Sequence, residues 1–107
     1  MNMDNGELLQ NILRDIQATR QQSMTINSQI KEFEVTLDAL SKQEDGKKVF
    51  RQIGALLFEV DDMKNMEEQL ITSIETLREH LSMMEKQDQE LKIKYEEIVS
   101  EIENSTE

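Results

Sequence analysis

A catalytic centre needs side chains that titrate or attack near neutral pH and converge on one point. This 107-residue chain offers a single histidine, no cysteine, and 23 acidic residues against 12 lysines and arginines. Acidic residues stand next to each other within the helical patterns, as in Glu67-Glu68 and Glu96-Glu97. Adjacent residues on a helix point in different directions, so neither pair can bracket a substrate. His80 has no second histidine or aspartate at metal-ligand spacing, and no glycine-rich loop is present to cradle a phosphate. Without cysteine there is neither a thiolate metal site nor a disulfide framework. These residues predict no enzyme, no cofactor and no metal. The chemistry left to the chain is association, through apolar stripes and surface charge.

Composition says what elements could carry it. Apolar residues make up 36% of the chain and charged residues 33%, and the aromatics are only Phe33, Phe50, Phe58 and Tyr95. That is poor material for a compact core and suits a thin helical body whose buried surface is a seam. The length allows one domain, and proline, which would break a long helix, is absent. Residues 1–6 lack the basic and apolar regions of a signal peptide, and no apolar run approaches the roughly 20 residues of a membrane span. These features predict a cytoplasmic protein with no membrane partner. The net charge of −11 is uneven: residues 62–107 carry thirteen acids against five bases. Such a surface repels phosphate backbones and excludes nucleic acid as a partner. It reads either as a solvated helix face or as an attraction to basic segments on a partner.

Two heptad stripes supply the seam. Leu9, Ile12, Ile16, Thr19, Ser23, Ile26, Ile30, Phe33, Leu37 and Leu40 alternate steps of three and four, and so do Val60, Met63, Glu67, Leu70, Ile74, Leu77, Leu81, Met84, Asp88, Leu91, Tyr95, Ile98 and Ile102. A period of 3.5 keeps one stripe facing a partner helix. The spacing predicts helices over residues 5–44 and 62–104, running antiparallel because the chain turns back between them. Asp4 or Asn5 can cap the first helix and Asp61 the second, with Asp62 favouring the helix dipole; Gly46 offers a left-handed stop. The register places the charged Asp88 beside Gln22 and Ser23, with Thr19 a layer away, or lets its side chain swing to solvent. At the open ends Leu8, Leu9 and Ile12 gather opposite Ile98, Val99 and Ile102, a candidate sticky surface, unless they are simply frayed termini.

Between the stripes lies Val49-Phe50-Arg51-Gln52-Ile53-Gly54-Ala55-Leu56-Leu57-Phe58-Glu59-Val60. Its β-branched and aromatic content and its alternation predict a β-hairpin over residues 48–60. Gly54-Ala55 suits a two-residue type II′ turn, which pairs Ile53 with Leu56, Arg51 with Phe58 and Val49 with Val60 on one face. A lone hairpin is marginal in water. Two helix ends cannot cover Val49, Phe50, Ile53, Leu56, Leu57, Phe58 and Val60 together. The hairpin therefore either joins hairpins of other subunits in a shared sheet or barrel, or folds back on its own helices.

Long helix, Phe50, Ile53-Gly54, Leu56-Leu57-Phe58, long helix resembles the β-type subunits of prefoldin, and Met84-Glu85-Lys86-Gln87-Asp88-Gln89-Glu90-Leu91 is similar to the second helix of that family. The resemblance spans almost the whole chain. It implies a mainly α fold: one domain over residues 1–107, a long antiparallel two-helix coiled coil joined by a short β-hairpin that enters an inter-subunit β-barrel. It implies a heterohexamer of α- and β-type prefoldin subunits. That complex is an ATP-independent holdase whose coiled-coil tips capture unfolded polypeptides, such as actin and tubulin in eukaryotes, for the cytosolic chaperonin. On this chain, assembly would fall to Val49, Phe50, Ile53, Gly54, Leu56, Leu57, Phe58 and Val60. Client contact would fall to Leu8, Leu9, Ile12, Ile98, Val99 and Ile102. The acidic helix faces depart from a purely apolar tip. A structural coiled-coil oligomerisation or adaptor protein is the alternative; it accounts for the seams but leaves the apolar hairpin unexplained.

Overall fold

The computed structural model describes residues 4–105; the remainder of the N-terminal stretch, residues 1–3, and residues 106–107 lie outside it. The order of elements is helix α1 (Asn5–Ser41), strand β1 (Phe50–Ile53), strand β2 (Leu56–Glu59) and helix α2 (Met63–Ser105). The fold is mainly α, two long helices joined by one antiparallel hairpin, as the pattern predicts. The chain divides into two compact units. A hairpin unit comprises Ser28–Arg78, and a terminal unit comprises the described part of Met1–Asn27 and Glu79–Glu107.

The helix starts follow from their caps. Asp4 Oδ1 accepts a hydrogen bond from the Glu7 amide at 2.8 Å, satisfying one of the orphan donors of the first turn. Asp62, not the expected Asp61, caps α2: its Oδ1 accepts from the Asn65 amide at 2.9 Å. Helix α2 accordingly begins at Met63. Helix α1 ends at Ser41, three residues short of the predicted boundary. There the Ser41 hydroxyl donates to the Asp38 carbonyl at 2.7 Å, and the Gln43 amide reaches back only to Leu40, so the last turn tightens and stops. Gly46 is not the helix cap. It sits within the turn closed by the Lys47 amide on the Glu44 carbonyl, where its φ of 82° and the negative φ of Asp45 give a type II pattern.

In the hairpin unit Ile30, Leu40, Leu70 and Ile74 are buried, with Phe33, Leu37, Met63, Glu67 and Leu77 half-buried between them. These are the predicted stripe positions. The helices are antiparallel here: Glu34 meets Arg78, while Thr36 shares a groove with Met66 and Leu70. In the terminal unit Ile12, Ile16, Thr19 and Ile26 are buried and Leu81, Met84, Leu91, Tyr95 and Ile98 half-buried. Antiparallel pairing holds within this unit too, since Arg20 meets Asp88 and Leu8 and Ile12 share a cleft with Lys94 and Ile98. A step of 3.5 residues leaves only a stripe to bury, which is why no large side chain is fully enclosed among the described residues.

The hairpin has the predicted register: Phe50 pairs with Glu59, Arg51 with Phe58, Gln52 with Leu57 and Ile53 with Leu56. A further bond from the Val60 amide to the Val49 carbonyl, 2.8 Å, extends the ladder. Gly54 has a φ of 60° at the first turn position and Ala55 a negative one, the type II′ pattern that matches the twist of the strands. The Gln52 side-chain amide donates to the Gly54 carbonyl at 3.3 Å and braces the turn.

Candidate functional site

The hairpin is the chain's most unusual surface. Every residue of both strands is exposed. Phe50 is 53%, Ile53 54%, Leu56 63%, Leu57 68% and Phe58 48% exposed, with Val49 and Val60 half-buried at the strand roots. The hairpin's own helices cover little of it. One groove runs between Arg51, Ile53 and Phe58 on the hairpin and Asn65, Met66 and Gln69 on α2. Beside it Arg51 lines a second groove with Phe33, Thr36 and Met66. The seven predicted apolar assembly residues and Gly54 thus stand together on one two-stranded element. Fully burying a large apolar side chain is worth roughly 1.5–3 kcal/mol, so these half-wet residues forgo several kcal/mol in the single chain. Both outer strand edges carry unpaired backbone groups as well.

The second candidate surface belongs to the terminal unit. Leu8, Ile12 and Ile98 line an open cleft with Asn11, Arg14, Asp15, Lys94 and Glu97. Leu8, Leu9, Ile98, Val99 and Ile102 are half-buried, whereas Ile12 is 8% exposed and forms the cleft's floor. The sequence reading missed Leu13, 44% exposed, which lies one position past the stripe. It also missed the polar walls Asp15 and Lys94, whose only signal is their place beside the stripe positions Ile16 and Tyr95.

Asp88 is half-buried, and its partners are ones that neither expectation named. It is paired with two cations, Arg20 Nε at 3.4 Å from Oδ1 and Lys92 Nζ at 3.2 Å from Oδ2. No hydrogen bond of acceptable geometry reaches the buried Oδ1. Gln22 and Ser23 are not its partners. Arginine and lysine have the reach to come in from the flank of the seam, which the shorter serine and glutamine at their positions do not match. Thr19, 3% exposed, is the buried polar residue of the same unit.

Among the described residues no group of three histidine, cysteine or acidic side chains is placed to hold a metal ion, and His80 is exposed. No helix among them is long and apolar enough to cross a membrane.

Comparison with known proteins agrees with this arrangement. The family model described as Prefoldin subunit matches residues 4–106. Prefoldin subunit beta of Thermoplasma acidophilum is 34% identical over 101 residues, covering 88% of this chain and 82% of the relative. Prefoldin subunit beta of Thermoplasma volcanium is 31% identical, with 87% and 75% covered. The crystal structure of the prefoldin beta subunit from Thermococcus strain KS-1 superposes with a TM-score of 0.83 over 94% of this chain and 88% of that one, at 23% identity.

Proposed function

Since this chain belongs to the prefoldin family, with the β-type subunits as its relatives, we propose that it works as one subunit of a heterohexameric, ATP-independent holdase. The coarse role is that of a prefoldin-type chaperone subunit that associates with other subunits of the family. In the finer reading the chain acts as one domain in the cytoplasm. Val49, Phe50, Ile53, Gly54, Leu56, Leu57, Phe58 and Val60 join an inter-subunit β-barrel with α- and β-type partners. Leu8, Leu9, Ile12, Ile98, Val99 and Ile102 hold unfolded polypeptides such as actin and tubulin, which pass to the cytosolic chaperonin.

The observation that supports this reading best is the exposed, apolar hairpin with a fixed register. A protein built only to pair two helices gains nothing from it. Holding a client through apolar contact needs no nucleotide, because burial of apolar surface is itself the driving force.

Light scattering of chemically denatured actin diluted into buffer tests the role. The complex reconstituted with co-purifying subunits should suppress aggregation at near-stoichiometric amounts without ATP. Removal of residues 1–12 and 98–107 should abolish suppression while leaving the complex assembled. An intact complex without any holding activity would leave the adaptor reading, and full activity after truncation would rule out the terminal surface.

A further inference from the structure

The hairpin ladder fixes which backbone groups face outward. The Val60 amide donates to the Val49 carbonyl, and Arg51 with Phe58 and Ile53 with Leu56 follow at steps of two toward the turn. In an antiparallel pair, residues that bond each other alternate with residues whose N–H and C=O groups point away. Phe50 and Gln52 therefore direct theirs out from the free edge of β1, and Leu57 and Glu59 theirs from the free edge of β2. The sheet has two strands only among the described residues, so both edges stand open.

The two edges differ in charge. Lys47, Lys48 and Arg51 lie on or just before β1, and residues 47–53 contain no acid. Glu59, Asp61 and Asp62 lie on or just after β2, and residues 54–63 contain no base. All six are exposed. Lys47 is engaged with Glu44, and Asp62 caps α2. Lys48 Nζ and Glu59 Oε1 are 3.9 Å apart, on side chains 72% and 46% exposed. They meet on a diagonal, because the ladder sets Phe50, not Lys48, opposite Glu59.

An antiparallel joint between β1 of one chain and β2 of another has to match these outward-facing residues. With Phe50 opposite Leu57, Lys48 comes opposite Glu59 and Val49 opposite Phe58. Those three pairs are apolar on apolar or base on acid, the combinations that stabilise a ladder. Repeating the hairpin's own register would instead set Phe50 against Glu59 and Gln52 against Leu57. Joining like edges brings no base against an acid: β1 on β1 gathers the cations of two chains, and β2 on β2 gathers their acids.

We infer that the hairpin is self-complementary: the β1 edge of one copy of this chain adds antiparallel to the β2 edge of a second copy, with Phe50 opposite Leu57 and Lys48 opposite Glu59. The occupant of each edge is another copy because one sequence supplies both the basic and the acidic edge. Such a head-to-tail joint leaves one edge free at each end, so it extends until a ring closes. This rests on the reading of the hairpin as the assembly element and names the partner and the polarity of the joint.

Sedimentation of the purified full-length chain at low salt tests it, and the parent should form oligomers. Lys48→Glu sets acid against acid in the joint and Glu59→Lys sets base against base. Each should weaken self-association about tenfold in Kd. An equimolar mixture of the two variants should recover it, since each edge then meets its opposite on the other variant. The contact between residues 48 and 59 within a chain stays broken in that mixture, so recovery reports the contact between chains. Both sites are exposed, and circular dichroism should show the helices unchanged. The chain has no cysteine, so single cysteines report the polarity independently. Under oxidation, Phe50→Cys mixed with Leu57→Cys should give the mixed disulfide in excess of either homodimer. A monomeric parent that joins only co-purifying subunits would overturn the inference and leave the assembly reading standing. Single reversals without effect, variants that stay apart when mixed, or a Leu57→Cys homodimer in excess would overturn it as well. A parent that associates neither with its own copies nor with co-purifying subunits would remove the assembly reading beneath it.

Discussion

Asp88 occupies a stripe position where every apolar neighbour along the seam contributes burial, and its Oδ1 has no well-formed hydrogen bond. Its partners Arg20 and Lys92 remain largely solvated, their side chains 58% and 45% exposed. Solvated cations gain little from one carboxylate and lose little when it goes. Asp88→Leu should therefore stabilise the chain by about 1–2 kcal/mol through added burial, seen as a higher urea midpoint. Asp88→Lys, which gathers three cations in one place, should lower the midpoint. A destabilised leucine variant would mean that the acid holds the local packing together. Gly54 poses a purely backbone problem. A Cβ built there meets nothing within 4 Å, yet the φ of 60° is one that side-chain-bearing residues rarely adopt. Gly54→Ala should cost about 1 kcal/mol by that conformation alone, with Gly54→Asn in between, measured by the same denaturation.

At the scale of elements, both helices start on an aspartate and both starts are testable alike. Asp4→Ala and Asp62→Ala should each lower stability by about 1 kcal/mol, and asparagine at either site should retain most of it, because it keeps the accepting oxygen. The Glu34–Arg78 bridge at 2.7 Å links α1 and α2 in the hairpin unit, yet both side chains are about half exposed. Its removal by Arg78→Gln should cost under about 1 kcal/mol, and salt should erase the difference. The stripes, hairpin register and turn type were legible in the sequence because each rests on a short-range rule: a period of 3.5, an alternation of two, a glycine first in a two-residue turn. The helix boundary at Ser41 and the cap at Asp62 were not, since two adjacent aspartates and a downstream Gly46 offer equivalent signals, and the local geometry of the Ser41 hydroxyl and the Asp62 carboxylate chooses among them. Asp88's cations were missed for a different reason. Stripe spacing says which residues face the partner helix, while Arg20 and Lys92 arrive from beside the stripe on long flexible stems.

The whole molecule is incomplete by its own energetics, and this sets the last prediction. Phe50, Ile53, Leu56, Leu57 and Phe58 keep about half or more of their surface in water. At roughly 1.5–3 kcal/mol for each fully buried side chain, covering the remaining surface of these five is worth about 4–8 kcal/mol per subunit. That is enough to drive association once a partner strand also satisfies the open edges. Phe58 is the side chain to test. It pairs with Arg51 across the ladder and lines the groove beside α2 while staying 48% exposed. An aspartate at this position would carry an uncompensated charge into any buried inter-subunit surface, costing several kcal/mol there and much less while the hairpin stays wet. Phe58→Asp should therefore leave the helical circular dichroism of the dissociated chain near that of the parent and lower its stability by only about 1 kcal/mol, the loss of a half-buried side chain. Sedimentation with co-purifying subunits should show loss of the large complex. Leu57→Asp, on the opposite face of the hairpin, separates the geometries: loss of assembly with both variants places both faces in contact with partners, and loss with Phe58→Asp alone places the contact on the face shared with Arg51. Assembly undiminished by either variant would exclude the hairpin as the joint, and leave its apolar surface without a use in the proposed complex.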